Sequence, residues 1–273
     1  MPIESLERLA DDFAALEQPV ERKRMLVIAN PYATTVSDRL KNLVVYALQG
    51  RYEVEAIDTE ARNHATALCR EAAQEGYDVV VAFGGDGTVN EAANGLAHSD
   101  TALTPLPGGA TNVYCKVLGV PGDIVDATEH LLRVADDWRP RRVDLAHVNG
   151  RAFTFSGGIG LDASVVRRVD ARPKVKTRLK QWYFAWAAVS TFTKEYVVHP
   201  PRLDVHSGDD VIRGVTVAVQ NGTAYTYFGN RPVSIADGLE LDDGAIGAAV
   251  LERATPLDIP TVSARLLSPR MRV

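Results

Sequence analysis

A run of apolar residues that leads straight into a glycine turn is the feature that most constrains the fold of this chain. Residues 79–83 are all apolar, the string Gly-Gly-Asp-Gly-Thr follows at 84–88, and a helical pattern continues to Gly95. The run predicts a buried strand, and a strand, glycine turn and helix in succession present free backbone N–H groups to a phosphate. Because the turn also carries a carboxylate, Asp86, we expect a metal ion or a proton transfer there. A nucleotide site is the leading interpretation, and a purely structural turn is the alternative.

The first half of the chain alternates strand-like and helix-like segments, which predicts an α/β fold with a parallel sheet wrapped by helices. The predicted strands cover residues 26–29, 54–57, 79–83 and 102–106, and the predicted helices cover 38–48, 64–74, 89–96 and 124–135. A further strand is predicted at 141–148. We expect this nucleotide-binding domain to span residues 22–145, with its ligands at the carboxyl ends of the strands.

Turn signals between short apolar runs predict a second, mostly antiparallel β domain over residues 146–273. Its strands are expected at 152–155, 202–206, 211–220 and 245–252, with one helix near 179–194. Residues 1–21 are predicted to form a helical extension. The reason is an amphipathic pattern of apolar residues spaced three or four apart, at Leu6, Leu9, Phe13 and Leu16.

Composition excludes several classes of protein. The formal net charge of −5 does not indicate binding to nucleic acid. Two cysteines, Cys69 and Cys115, do not suggest a disulfide scaffold, and we expect both to remain thiols in a reducing compartment. The amino terminus carries no apolar signal core, and no apolar run approaches the roughly 18 residues that a membrane span needs. These features predict a cytoplasmic protein that can visit a membrane surface.

One basic segment stands out in this acidic chain. Residues 167–180 contain seven basic residues and one acidic residue, Asp170, a net charge of +6, and four aromatic residues follow within 182–186. Cations beside Trp and Tyr suit the headgroup level of an anionic membrane, where each cation contributes about 1 kcal/mol. The stretch from Arg167 to Trp186 therefore predicts peripheral contact with the inner face of a membrane. A solvated loop before a core helix is the alternative.

Several short motifs occur in a fixed order between about residue 25 and about residue 251. They are Asn30-Pro31, Thr59-Glu60, the string at 84–91, Pro-Gly-Gly-Ala-Thr-Asn at 107–112, Arg142-Val143-Asp144-Leu145, the Gly-rich string at 157–163 and Leu241-Asp242-Asp243-Gly244. Together they resemble the diacylglycerol kinase catalytic-domain family. That family includes soluble bacterial lipid kinases, sphingosine kinases and ceramide kinases, and its fold is similar to that of NAD kinases.

The resemblance implies a kinase that uses ATP and Mg²⁺ to phosphorylate a hydroxyl of a diacylglycerol-like or sphingoid lipid at a membrane surface. It also implies that the β domain over residues 146–273 binds the lipid. It implies nucleotide binding by Asn30, Pro31, Thr59, Gly84, Gly85, Gly87, Thr88, Asn90, Glu91, Gly109, Thr111 and Asn112. Asp86 and Asp144 are the implied catalytic residues, and Asp86, Asp242 and Asp243 the implied metal ligands. For Asp144 a turn or cap carboxylate is the alternative, and for the Asp-Asp-Gly string a hairpin turn. A homodimer is one option for the oligomeric state.

Three departures from the family pattern keep a second hypothesis open. Ala110 stands where the family usually has Thr or Ser, and Val113 stands where many bacterial diacylglycerol kinases have Asp. The family's Asp-Gly-Glu or Asp-Gly-Asp near the C-terminus, which supplies the proposed general base, is absent after Gly244. We therefore expect the natural chain to continue beyond Val273. The alternative function is a catalytically inactive member of the fold that binds nucleotide or lipid. A kinase for a soluble hydroxyl compound is less favoured, because the 90–95 string resembles the lipid branch.

Overall fold

The computed structural model describes residues 22–160 and 202–252. The helices predicted within 1–21 and at 179–194, the basic stretch from Arg167 to Trp186, and the C-terminal residues from 253 onward lie outside the described residues.

A four-stranded parallel sheet forms the first half, as predicted. Its strands are β1 (Arg24–Ala29), β2 (Glu53–Asp58), β3 (Val79–Gly84) and β4 (Ala102–Pro107), in the spatial order β2-β1-β3-β4. The helices are α1 (Asp38–Leu48), α2 (His64–Gln74), α3 (Asp86–Leu96), α4 (Val113–Val117) and α5 (Ile124–Val134). Helix α3 begins three residues earlier than predicted, and the short α4 was not predicted. No helix among the described residues combines the length and apolar character that a membrane crossing requires.

Alternate residues of the central strands are buried in two different layers of the core. Val79, Val81 and Phe83 of β3 pack in a cluster that includes residues of α1 and α5. Val80 and Ala82 face the opposite layer, which includes residues of α2 and α3. Because every residue of β3 is buried, this strand is continuously apolar rather than alternating, as expected of a parallel strand covered on both faces.

The strand order creates a crevice at the carboxyl end of the sheet. The chain leaves β1 toward β2 on one side and leaves β3 toward β4 on the other, so the connections after β1 and β3 diverge. The Asn30 N–H still donates to the Phe83 carbonyl at 2.9 Å, which keeps the two strand ends together. Such a switch point is where open α/β sheets bind ligands.

The second half is built from short antiparallel strands, which confirms its predicted class. They are β5 (Ala146–Val148), β6 (Arg151–Phe153), β7 (Ser156–Ile159), β8 (Leu203–Ser207), β9 (Asp210–Gly214), β10 (Thr216–Gln220), β11 (Thr226–Phe228), β12 (Arg231–Val233) and β13 (Gly247–Leu251). Strands β13, β10 and β7 form one sheet, and β5–β6, β8–β9 and β11–β12 are separate pairs. Every one of these pairings is antiparallel.

Several predicted strand bounds in this half are wrong. Residues 141–145 are not a strand, because Asp144 N–H donates to the Leu241 carbonyl and the Arg141 guanidinium binds Asp242, so this segment pairs with a loop. The strand predicted at 152–155 is interrupted after Phe153 and resumes as β7 at Ser156.

The run predicted as one strand at 211–220 is two strands in different sheets. The break lies at Gly214 and Val215, where the chain passes β13 so closely that a Cβ on Gly214 would stand 2.5 Å from Val250 Cγ1. The Val215 N–H donates to the Leu251 carbonyl at 2.8 Å. The hairpin β11–β12 was missed, although its Gly229-Asn230 turn between two short runs is a hairpin signal.

Candidate functional site

Two glycine turns pack against each other at the carboxyl ends of β3 and β4. A Cβ built on Gly109 would stand 2.7 Å from Gly85 Cα, and one built on Gly108 would stand 2.8 Å from Gly84 Cα. The Gly108 N–H donates to the Gly84 carbonyl at 2.9 Å, which extends the pairing of the two strands into the turns. The glycines are thus required by the approach of one backbone to the other. The two packed turns, which we call the double-turn floor, lie at the switch point, with Gly84 and Gly108 buried and Gly85 and Gly109 half-buried.

Asn112 closes the second turn. Its Oδ1 accepts the Gly109 N–H at 2.8 Å, and its Nδ2 donates to the Gly109 carbonyl at 3.0 Å. Asn112 itself has a left-handed backbone, with φ of 49°, a conformation that Asn tolerates better than most residues. Its amide therefore shapes the turn. Thr111 is half-buried beside it, and Ala110 is exposed.

Asn30 joins the end of β1 to helix α3. Its Nδ2 donates to Thr88 Oγ1 at 3.0 Å, and its Oδ1 accepts the Tyr32 N–H at 2.9 Å. Thr59 reaches the same edge of the sheet, because its N–H donates to the Ala29 carbonyl at 2.8 Å. The structure thus brings Asn30, Thr59, Thr88 and the glycine turns together, as the motif order predicted. Pro31 follows Asn30 in an exposed turn.

The first turn of α3 offers a backbone donor. The N–H groups of Thr88 and Val89 both donate to the Gly85 carbonyl, at 2.9 and 3.2 Å. The Gly87 N–H has no acceptor among residues 22–160 and 202–252, and a Cβ on Gly87 would meet nothing within 4 Å. A free N–H of an exposed residue at the positive end of a helix dipole can receive a phosphate oxygen.

Asp86 stands at the same helix start, turned toward α4. Its Oδ1 accepts the Tyr114 N–H at 3.0 Å. Burial raises the pKa of Asp86, while backbone N–H groups of Tyr114 and Val113 and the charge of Lys116 partly offset that rise. A carboxyl in this position either takes up a proton readily or is stabilised in its charged form by a cation.

Lys116 is a neighbour that the sequence did not single out. Its Nζ donates to the Gly229 carbonyl at 2.8 Å and stands 5.0 Å from the centroid of the Tyr227 ring. The contact places the β11–β12 hairpin beside α4, close to the helix start that holds Asp86. The only signal in the sequence was a cation four residues after Asn112.

Two asparagines of α3 bind the second half of the molecule. Asn90 Oδ1 accepts the Thr154 N–H at 3.1 Å, and Asn90 Nδ2 donates to the Ala152 carbonyl at 3.2 Å. Asn94 accepts the Ala152 N–H at 2.8 Å and donates to the same residue's carbonyl at 2.9 Å. The structure therefore places Asn90, which was assigned to the nucleotide, at the contact between α3 and β6. Glu91 lies toward α2, where its carbonyl accepts the Thr66 hydroxyl at 2.8 Å.

Asp144 is anchored to the loop that carries the Asp-Asp-Gly string. Its N–H donates to the Leu241 carbonyl at 2.6 Å, and its Oδ2 accepts the Gly244 N–H at 2.7 Å. Leu241 is buried in the same apolar cluster as Tyr114, whose N–H binds Asp86. The two predicted catalytic acids thus flank one cluster.

Both carboxylates of the Asp-Asp-Gly string have partners in the protein. The Arg141 guanidinium donates to both oxygens of Asp242, at 2.9 and 2.5 Å, and lowers its pKa. The Asp243 carboxylate accepts the N–H groups of Glu240 and Ala245, at 2.8 and 2.9 Å, and these lower its pKa. No group of three or more His, Cys, Asp or Glu side chains suited to a metal occurs among the described residues. The metal site at Asp242 and Asp243 stays a prediction.

Comparison with known proteins agrees with the motifs. Residues 24–148 match the family model of the diacylglycerol kinase catalytic domain. The chain is 34% identical over 168 residues to a diacylglycerol kinase of Bacillus subtilis, covering 58% of this chain and 52% of that protein. It is 34% identical over 138 residues to a diacylglycerol kinase of Staphylococcus aureus, covering 48% and 42%. The chain thus matches about half the length of these curated relatives or less.

Solved structures extend the likeness over nearly the whole chain. A crystal structure of a diacylglycerol kinase from Bacillus anthracis covers 93% of this chain and 81% of its own, with 26% identity and a TM-score of 0.66. A second structure from that organism has 28% identity and a TM-score of 0.69, covering 93% and 82%. The family-model match over residues 24–148 and these two structures confirm the resemblance to the diacylglycerol kinase catalytic-domain family.

Proposed function

We propose that this protein is a lipid kinase that transfers the γ-phosphate of ATP to a hydroxyl of a diacylglycerol-like or sphingoid lipid. The observation that carries the proposal is the meeting of two glycine turns with the start of α3, where Gly87 offers a free N–H and Asp86 a carboxyl of raised pKa. The relatives' names support phosphorylation of diacylglycerol. The structure adds support through the arrangement of the glycine turns, Gly87 and Asp86 at the carboxyl end of the sheet.

The donor phosphates are proposed to lie on the double-turn floor. Gly85 and Gly109 let the two turns approach each other because neither carries a Cβ, and the exposed Gly87 lies in the adjacent first turn of α3. The residues beneath, including Asn30 and Thr88, are already hydrogen-bonded to one another, so the floor is set before a ligand arrives. Such a floor would promote the reaction by positioning the donor phosphates and by its fixed dipoles rather than by covalent chemistry.

Asp86 is proposed to accept the proton of the lipid hydroxyl. The hydroxyl oxygen forms a bond to the γ-phosphorus while the bond from that phosphorus to the β–γ bridging oxygen breaks, and ADP leaves. The raised pKa of Asp86 makes its carboxylate a better proton acceptor than an exposed Asp. Asp144, beyond the Tyr114–Leu241 cluster, is the second acid of the proposed site.

Magnesium is the cation that this chemistry ordinarily uses, since it neutralises the phosphate charge. As the alternative to accepting the proton, Asp86 would hold such a cation, because burial penalises its charged form and a nearby positive ion would offset that penalty. Asp242 does not offer a free carboxylate, since Arg141 binds both of its oxygens. Our proposal therefore gives the metal role first to Asp86 and then to Asp243. A cytoplasmic location with peripheral membrane contact belongs to the same proposal.

The test is transfer of radiolabelled γ-phosphate from ATP, with Mg²⁺, to a panel of lipids in mixed micelles, using the chain and its Asp86→Asn variant. We expect a labelled lipid from the wild type and a loss of at least about a hundredfold in the variant, the lower end of general acid–base contributions. A fully active variant would refute the role of Asp86. No labelled lipid, with ATP still raising the melting temperature, would favour the inactive nucleotide-binding alternative.

The variant's stability separates lost chemistry from lost folding. A carboxyl whose pKa is raised by folding favours the folded state only when protonated, so Asp86 lowers the stability of the wild type above that pKa. We expect Asp86→Asn to melt at a higher temperature than the wild type at pH 7. The difference should shrink as the pH falls toward about 3.9, the ordinary pKa of Asp in an unfolded chain. A variant less stable at pH 7 would contradict this reasoning.

A further inference from the structure

Asn221 is a buried amide that neither the motifs nor the proposed mechanism uses. It follows β10 directly and is 1% exposed. Its Nδ2 donates to the Asp144 carbonyl at 3.0 Å and to the Thr154 carbonyl at 2.9 Å. Its own N–H donates to the Phe155 carbonyl at 2.7 Å. One side chain thus ties the end of β10 to two separate segments.

Asp144 is held at three points, and Asn221 supplies the one at its carbonyl. The other two are the N–H, bonded to the Leu241 carbonyl, and the carboxylate, bonded to the Gly244 N–H. Residues 141–145 belong to no strand, so no ladder of hydrogen bonds fixes Asp144. The orientation of its carboxylate therefore depends on these individual contacts.

The two hydrogen bonds that Asn221 Nδ2 donates fix the orientation of its side-chain amide. Its Oδ1 is buried and has no partner among the described residues. Exchanging the oxygen and nitrogen positions would set Oδ1 against two carbonyl oxygens and break both hydrogen bonds. The side chain thus leaves its acceptor unpaired while it holds Asp144 and Thr154, which is the arrangement expected of a residue whose role is to donate.

We infer that Asn221 is the positioning residue for Asp144, holding that acid in register with the Asp86 side of the site. The inference rests on the proposed function, because that proposal gives Asp144 its role as the second acid of the site. It assigns Asn221 no contact with substrate. It implies that β10 of the second half influences the chemistry through this amide.

Asn94 provides a matched control. It is also an asparagine that binds backbone groups of the same stretch, at Ala152, but it does not contact Asp144. Thr154→Val is a second control, because it removes a buried hydroxyl beside Asn221 that has no partner among the described residues. If Asn221 only stabilised the fold, Asn221→Leu and Asn94→Leu would have similar effects.

The kinetic test compares these variants in the ATP-to-lipid transfer assay. We expect Asn221→Leu to lower kcat about tenfold to a hundredfold while the KM for ATP changes less than about twofold, because a displaced acid loses catalysis rather than nucleotide binding. Asn94→Leu and Thr154→Val should keep kcat within about threefold of the wild type, since neither residue touches the acid. An unchanged kcat in Asn221→Leu, or an equal fall in Asn94→Leu, would overturn the inference.

Amide hydrogen exchange supplies a readout that does not need activity. The Asp144 and Gly244 amides, which donate to Leu241 and to the Asp144 carboxylate, should exchange at least about tenfold faster in Asn221→Leu than in Asn94→Leu. Equal exchange would overturn the inference even if catalysis fell. If the wild type labels no lipid, the proposed function fails, and exchange alone decides whether Asn221 holds Asp144. Should Asn221→Leu not fold, Asn221→Ala, which removes the donors without adding bulk, replaces it with the same outcomes.

Discussion

The two halves of this molecule are held together by different physical means. In the first half, the central strands β1 and β3 are almost wholly buried, and their alternate residues fill two apolar layers. In the described part of the second half, the strands have three to five residues, and the buried apolar side chains are Ala152, Val215, Val217, Ala224, Val233 and Leu241. Buried or half-buried amides, including Asn90, Asn94, Gln220 and Asn221, make many of the remaining connections.

The difference has consequences for function. Apolar packing is spread over many contacts, so it makes a rigid platform for the glycine turns. A hydrogen-bonded network depends on each member, because a buried polar group without its partner is destabilising. The proposed acid Asp144 is held by hydrogen bonds from Asn221 and Gly244 of the second half, whereas Asp86 lies on the packed platform. We therefore expect substitutions in the second half to impair phosphorylation of the lipid more than they impair binding of the nucleotide.

The largest effect should come from the packed half. Ile28 is 0% exposed in the middle of β1, whereas Ile159, at the end of β7, is 46% exposed. Ile28→Ala should lower the free energy of unfolding by about 2–5 kcal/mol, since it leaves a cavity between close-packed layers. Ile159→Ala should lower it by less than about 1 kcal/mol, as expected for a half-exposed site. Urea titration of both variants, followed by circular dichroism, makes the comparison. Equal losses of unfolding free energy would mean that apolar packing stabilises the two halves to the same extent.

A smaller effect is expected from a polar change in the second half. Gln220 is fully buried, its Nε2 donates to the Gly222 and Ala236 carbonyls, and its Oε1 accepts the Ile235 N–H. Gln220→Leu adds apolar volume yet leaves those groups unpaired, so we expect a loss of about 1–3 kcal/mol. The same substitution at Gln74, on the exposed end of α2, should be nearly neutral. Denaturant unfolding of both variants measures this contrast. A stabilised Gln220→Leu would show that packing, not hydrogen bonding, limits this half.

The same contrast explains how much of the fold could be predicted from the sequence. Residues 79–83 predict β3 correctly, because a continuously apolar run has one stable location, a strand buried on both faces. Residues 211–220 are also rich in apolar residues, but the chain changes sheets at Gly214, where close contact with Val250 decides the outcome. Residues 141–145 bind a loop through Asp144 and Arg141. Contacts between distant segments of this kind leave no periodicity in the sequence.

For the site, motif order predicted the meeting of Asn30, Thr88 and the glycine turns, because strands of a parallel sheet end at one edge. The sequence could not show that the amides of Asn112 and Asn90 bind the protein's own backbone. Lys116 and Asn221 were missed altogether. Both owe their importance to residues about 80 to 110 positions away in the chain, and side-chain type alone carries no such information.

The smallest effect is expected from glycine substitutions in the packed half, where one glycine borders open space and another allows two turns to pack together. Gly87 lies in the first turn of α3 with open space where a Cβ would point, so Gly87→Ala should raise the free energy of unfolding by about 0.5–1 kcal/mol. The added methyl group would nevertheless occupy the space proposed for the donor phosphates. We expect the increase in melting temperature caused by ATP to disappear in this variant.

Gly109→Ala is the opposing case. Its Cβ would stand 2.7 Å from Gly85 Cα, so the two turns would have to separate and both stability and the ATP-induced increase in melting temperature should fall. Thermal melts of the two variants with and without ATP and Mg²⁺ decide the matter. If Gly87→Ala keeps the full ATP effect, the phosphates do not bind at the start of α3. The geometry of the glycine turns would then serve only to bring β3 and β4 together.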